Sequence, residues 1–182
     1  MKTPFGADLV KANTQMLYRL YSRQLIPQPL EEVWPFFLRP ENLARITPPD
    51  MGFVIRSPVP PAMTPGLIIV YTVRPLFGIP MHWVTEITHL HPPLSGQSWA
   101  LFVDEQRFGP YRFWHHRHLF SRHERGTLME DEVHYLLPGG PLGRLIHPVL
   151  IRPRLREIFT YRSRVIESLY GAEPAEITFG RL

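Results

Sequence analysis

Two stretches of this 182-residue chain gather the side chains best able to do chemistry. The first, FGPYRFWHHRHLF from Phe108 to Phe120, packs five aromatic residues and three histidines into thirteen positions. The second, within GTLMEDEVHYLLPGGPLG, carries Asp131 and begins after the short connection SRHERG. Two imidazoles and a carboxylate can pair with one another as a buried polar patch. They can instead recognise the polar atoms of a ligand in a mostly apolar pocket. They can also act. An imidazole oriented by a carboxylate can serve as a general base, and His-x-His with a carboxylate imitates a facial metal triad.

Strand periodicity decides which side chains meet. Arg112, Trp114, His116, His118 and Phe120 share one face, and Phe113, His115, Arg117 and Leu119 share the other. The first set holds the larger aromatics and is expected inward. On the following strand Met129, Asp131, Val133, Tyr135 and Leu137 form the apolar set, leaving Glu130, Glu132 and His134 to water. A short hairpin then brings Asp131 opposite His118, or opposite His116 in the other register, since a one-residue slip would turn every side chain over. One of the two imidazoles is expected to be the carboxylate's partner, with its pKa raised; the other, desolvated alone, should lie lower. In FVDEQ, Asp104 and Glu105 take opposite faces, and Trp99, Leu101 and Val103 compete with Ala100 and Phe102 for the core, which leaves the inward carboxylate open. His82, His89, His115 and His134 are read as surface residues.

The elements that must position these groups follow from punctuation and period. Met16–Ile26 reads as a strand. Two short helices follow in PQPLEEVWPFFLRPENLARITPP, with Glu31 and Glu32 at the positive dipole end of the first. Met51–Ser57, Leu67–Pro75, Met81–His91, Ser98–Arg107, Tyr111–His123 and Thr127–Leu137 are rich in β-branched and aromatic residues and bounded by Pro or Gly clusters. They predict an antiparallel meander. One long helix comes last. Ile151, Leu155, Ile158, Phe159, Val165, Ile166 and Leu169 mark its apolar face, while Arg154, Arg156, Arg162 and Arg164 are placed elsewhere. Pro148 and Pro153 mark its start or a kink. PGGPLG is read as the sharp turn between the last of these strands and the helix.

Composition narrows the classes. The chain has no cysteine, which excludes disulfides, thiolate metal sites and a cysteine nucleophile. The net charge of +4 is spread along the sequence and no nucleic-acid-binding module accompanies it, so no nucleic acid is expected. No apolar run reaches the roughly 18 residues of a membrane span, and the start lacks a signal-peptide core, so a cytoplasmic location is expected.

The segments EEVWPFFLRPENLARITPP, GIPMHWVTEI, FVDEQRFGPYRFWHHRHLF, GTLMEDEVHYLLPGGPLG and LREIFTYR, spanning Leu17 to Tyr170, resemble the START-like, Bet v 1-like (SRPBCC) superfamily. The resemblance is to its bacterial ligand-binding or polyketide cyclase-like branch. It implies an α+β helix-grip fold, a seven-stranded curved antiparallel sheet wrapped around the C-terminal helix with two short helices after the first strand. The domain is expected over residues 15–171, between an N-terminal arm (1–14) and a C-terminal tail (172–182). The implied function is binding, for carriage or sensing, of a small and largely apolar molecule such as a lipid, quinone or aromatic polyketide. Tyr71, Trp83, Trp114, His116, His118, Asp131, Tyr135 and Phe159 are the expected pocket residues. Two alternatives stay open. One is a cyclase or dehydratase with His116 or His118 as base and Asp131 as its orienting partner. The other is a protein-interaction module with a vestigial cavity. No cofactor and no metal are expected, transient contact with a membrane surface is left open, and the oligomeric state is not read from the sequence.

Overall fold

The computed structural model describes residues 16–182. The expected N-terminal arm lies outside the described residues. The elements, in chain order, are β1 (Tyr18–Ile26), α1 (Leu30–Phe37), α2 (Asn42–Arg45), β2 (Val54–Ile55), β3 (Ile68–Val73), β4 (Met81–His91), β5 (Trp99–Phe108), β6 (Phe113–His123), β7 (Gly126–Leu136), α3 (Gly140–Ile146), α4 (Arg152–Tyr170) and β8 (Glu176–Arg181). The eight strands form one sheet, ordered β2-β3-β4-β5-β6-β7-β1-β8, with antiparallel pairing throughout.

Each boundary has a local cause. β6 and β7 are joined through Glu124 and Arg125, and His123 pairs with Gly126. Gly126 has φ +135, and a Cβ there would run into the Ile26 carbonyl oxygen, so glycine is required where the hairpin crosses the end of β1. The helical segment after β7 is continuous but not uniform. His147–Ile151 forms a π-helical turn containing Pro148. Proline has no N–H to donate to the preceding turn, and the ladder widens there instead of breaking. Gly171, left-handed at φ +69, closes α4 and donates its N–H to Glu167.

The sheet differs from expectation at three places. Met51–Ser57 yields only the two-residue β2, because Pro49–Met51 turns as a 3-10 helix. Arg112 is exposed just before β6 begins, so it does not share the inward face of Trp114. The C-terminal tail supplies an eighth strand, β8, paired to β1 from Tyr18 to Arg23. Its residues are largely exposed, which left little hydrophobic signal, and the guanidiniums of Arg152 and Arg156 cover the Phe179 ring at 5.3 and 5.0 Å.

The core lies between the concave sheet face and the helices. α1 contributes Val33, Trp34, Phe36 and Phe37, with Trp34 edge-on to Phe120 at 5.6 Å. α4 buries Leu155, Phe159, Arg162, Ser163 and Ile166. That stripe has helical spacing and an arginine in its middle.

Candidate functional site

β5, β6 and β7 are neighbours, so residues at matched register on their inward faces meet. Phe102 pairs with His118, Asp104 with His116, and His118 with Asp131. The hairpin therefore takes the register with His118 opposite Asp131. It still delivers both imidazoles to that carboxylate. His118 Nδ1 lies 2.6 Å and His116 Nε2 3.2 Å from Asp131 Oδ1. The expected division into one paired and one unpaired histidine does not occur.

The opposite ring nitrogens meet a second carboxylate. Asp104 Oδ2 is 2.9 Å from His118 Nε2 and 3.4 Å from His116 Nδ1. Asp104 points inward with Ala100 and Phe102, while Glu105 points outward to His115 and Arg107. The two rings lie tilted at 38° with centroids 3.7 Å apart, and Phe102 stacks on His118 at 4.0 Å. Arg162 completes the cluster from α4. Its Nη2 is 3.4 Å from Asp131 Oδ1 and 3.2 Å from His118 Nδ1, and the guanidinium sits over the rings of Phe37 and Phe159. Placing all four helix arginines away from the core was wrong for Arg162, which is 7% exposed. The signal was its spacing with Leu155, Phe159 and Ile166.

Burial and charge set the protonation of the cluster. Burial alone would raise the pKa of Asp131, but Arg162, His118 and the hydrogen bonds from both histidines hold it well below the usual carboxylate value. Asp104 is likewise lowered, against its burial, by His116, His118 and Arg162. His116 is pushed down to about 4, first by burial and then by neighbouring His118, and the two carboxylates only partly offset this. Desolvation therefore wins at His116 over the expected carboxylate effect.

A cavity of about 370 Å³ opens between sheet and helix. Of the expected pocket residues, Tyr71, Trp83, Trp114, His116, His118 and Phe159 line it, together with Asp104 and Arg162. Asp131 and Tyr135 do not. Asp131 sits behind the histidines, and Tyr135 is fully buried with its hydroxyl 2.7 Å from His147 Nε2. His147, absent from the sequence reading, stacks on Tyr18 at 3.6 Å and is pushed down to about 4, chiefly by burial. Trp83 donates its Nε1–H to Thr85 Oγ1, which fixes the indole in the wall. His82 and His89 are exposed; His115 and His134 are partly buried on the outer sheet face.

These two lowered histidines predict acid sensitivity. A histidine whose folded pKa lies below its unfolded value contributes stability that is fully present above the ordinary value of 6.5 and lost as pH falls through about 4. At about 1.4 kcal/mol per pKa unit, His116 alone withdraws on the order of 3 kcal/mol across that window. Asp104 and Asp131, lowered too, act in the same direction at lower pH. Urea unfolding with a chelator present, so that only protons compete for the imidazoles, should show the midpoint falling from pH 7 to pH 4.5. An unchanged midpoint would contradict the burial of neutral imidazoles.

No family model matches the chain, and no curated protein matches it. Solved structures do. Protein Ms6760 from Mycobacterium smegmatis is 16% identical, covering 83% of this chain and 89% of its own, with a TM-score of 0.57. TTHA0849 from Thermus thermophilus is 15% identical over 82% of this chain and 94% of its own, TM-score 0.56. The major latex-like protein 151 from Panax ginseng is 12% identical over 85% of this chain and 98% of its own, TM-score 0.58. Identities this low establish architecture and nothing about ligand or reaction. No helix among the described residues is long and apolar enough to cross a membrane. The antiparallel sheet gripping a long C-terminal helix, shared with these structures, is the START-like, Bet v 1-like fold.

Proposed function

We propose that the protein binds one small, largely apolar molecule carrying an oxygen acceptor, held in the cavity with its oxygen toward Arg162. The observation that carries this reading is a cavity whose wall is mostly aromatic and aliphatic and on which Asp104, His116, His118 and Arg162 form one polar cluster, the usual make-up of a small-molecule site. Size supports a small ligand. A cavity of roughly 150 Å³ accepts benzene, so 370 Å³ suits a molecule about two and a half times as large, such as a fused aromatic or a short single chain. Chemistry supports the acceptor. Arg162 lines the cavity, and its buried Nε has no hydrogen-bond partner among the described residues. Where the guanidinium meets the cavity, a ligand oxygen would accept a charge-assisted hydrogen bond from it.

The rim suggests where such a molecule comes from. Leu76 and Ile146 line the cavity, and Phe77, Ile79, Leu145 and Val149 near them in sequence are all strongly exposed. Exposed apolar side chains adjoining cavity-lining residues in sequence favour brief contact with a lipid surface. The cyclase-like alternative gains less support through His116. His116 is neutral at pH 7, but a group held at about 4 is a weak base for enolisation.

An environment-sensitive apolar dye tests the assignment of faces. Trp114 lines the cavity, whereas Arg117, on the opposite face of the same strand, pairs with Glu132. Trp114→Ala should change dye affinity several-fold and Arg117→Ala should leave it nearly unchanged. Equal effects would remove the basis for the pocket. Native mass spectrometry of protein from its own source should show one co-purified small molecule.

A further inference from the structure

We propose that Asp104, His116 and His118 form a binding site for one divalent transition-metal ion, with Asp131 and Arg162 positioning the imidazoles. This goes beyond the apolar-ligand reading and does not depend on it.

Distances come first. One ligand atom from each of Asp104, His116 and His118 lies within 4.8 Å of the other two. Asp104 Oδ2 is 3.4 Å from His116 Nδ1 and 2.9 Å from His118 Nε2. An ion about 2.0–2.2 Å from each ligand places neighbouring ligands about 3.0–3.4 Å apart. Asp104 Oδ2 already stands at such separations from both imidazoles, and the two imidazole nitrogens lie within 4.8 Å of each other.

The stronger argument lies on the far side of the rings. Metal-binding histidines commonly donate their other ring N–H to a carboxylate, which fixes tautomer and orientation. Here a single oxygen, Asp131 Oδ1, stands 3.2 Å from His116 Nε2 and 2.6 Å from His118 Nδ1. In the metal-free cluster Arg162 donates to His118 Nδ1, and His118 Nε2 faces Asp104. Once His118 Nδ1 and His116 Nε2 hold the protons and Arg162 turns to Asp131 alone, His116 Nδ1 and His118 Nε2 present lone pairs toward Asp104 Oδ2. Three lone pairs then converge on one point, and a cation relieves their repulsion. Arg162, 3.4 Å from Asp131 Oδ1, offsets the charge of the positioning carboxylate. The facial triad suggested by the sequence thus has the wrong acid in it. Asp104 is the ligand, and Asp131 orients.

Donor type and charge narrow the ion. Two imidazoles and one carboxylate suit Zn(II), Fe(II) or Co(II) better than Mg(II) or Ca(II), which prefer oxygen. Asp104, Asp131 and Arg162 together carry one net negative charge, so a divalent ion leaves one positive charge. One anionic oxygen arriving through the cavity would neutralise it, and all three ligands line that cavity.

The test uses the full chain, stripped with a chelator, and Co(II) alone as probe. Wild type should bind one equivalent saturably, develop visible d–d bands, and lose them when Zn(II) is added. Asp104→Asn should weaken binding at least tenfold. Asp131→Asn should weaken it roughly 10–100-fold while the remaining bands keep their pattern, since the ligands are unchanged. Glu105→Gln, on the outer face, should bind as wild type does. Circular dichroism confirms that each variant is folded, and the wild-type titration decides even where a variant is not. Absence of saturable one-to-one binding by wild type overturns the proposal and leaves a proton-bridged cluster. So does an affinity unchanged by Asp104→Asn. Because no organic ligand is present, failure here is distinct from failure of dye binding.

Discussion

A chain ending at Pro153 is expected to lose cooperative unfolding altogether. It lacks Leu155, Phe159 and Ile166, which are 3%, 4% and 0% exposed. Burying each contributes roughly 1.5–3 kcal/mol, so the three together approach the net stability of about 5–15 kcal/mol typical of a domain. The same cut removes Arg162 and leaves Asp131 buried beside no fixed cation. It also removes one wall of the cavity. A chain ending at Gly171 is the informative control. That chain keeps α4 but loses β8, most of whose residues are exposed. It also loses the Ala175 N–H bond to Ser163 Oγ and the carbonyl of Glu173 that accepts from Gln24. It should therefore unfold in one transition at a lower urea midpoint. A single cooperative transition from the Pro153 chain would mean that the sheet and short helices form a core unaided, against the architecture described.

The parts of this fold that could be read in advance are those where one periodicity dominates. In β6 and β7 the larger aromatic and apolar residues recur at every second position, so the inward face followed and the register was narrowed to two, since a one-residue slip would invert every side chain. The pairing of His118 with Asp131 chooses between them. The result is visible in Trp114, His116, His118 and Phe120 against Met129, Asp131, Val133 and Tyr135, all buried. β5 resisted for a physical reason. Apolar residues occupy both its faces, and its pairing with β4 is interrupted at Val84/Thr85 and Ile87/His89. Ala100, Phe102 and Val103 are consequently all buried, and alternation alone could not say which carboxylate of Asp104 and Glu105 points inward. That ambiguity hid a member of the site. Arg162 was hidden differently. A charged residue on an amphipathic helix is ordinarily assigned to water, and only a buried carboxylate contributed by another strand reverses the preference. Tyr135 was placed inward correctly, yet its hydroxyl is engaged by His147, from a turn whose π-helical form has no simple sequence pattern.

Arg162→Met is expected to destabilise the fold by about 3–5 kcal/mol, the cost of stranding a buried charge by removing its partner. Methionine keeps the aliphatic stem and supplies a flexible thioether for part of the space the guanidinium fills over Phe37 and Phe159, so the change removes the charge at a small packing cost. The expectation rests on the position of Asp131, which is 3% exposed and whose pKa is held down by Arg162 before any other attraction. Asp131→Asn in the same chain should recover part of the loss, because the amide needs hydrogen bonds but no counter-charge. The two single changes should therefore not add, and a double-mutant cycle from urea midpoints measures the coupling. The deficit also carries a sign in pH. Without Arg162 only the two histidines oppose burial, so the Asp131 pKa rises from its wild-type position and the native state of the variant takes up a proton more readily than that of wild type. A group whose folded pKa is raised recovers stability as pH falls, and the gap between Arg162→Met and wild type should be widest near neutrality and narrow on acidification. A deficit that stays constant from pH 7 to pH 4 would assign the loss to packing and leave Asp131 without the partner its burial requires.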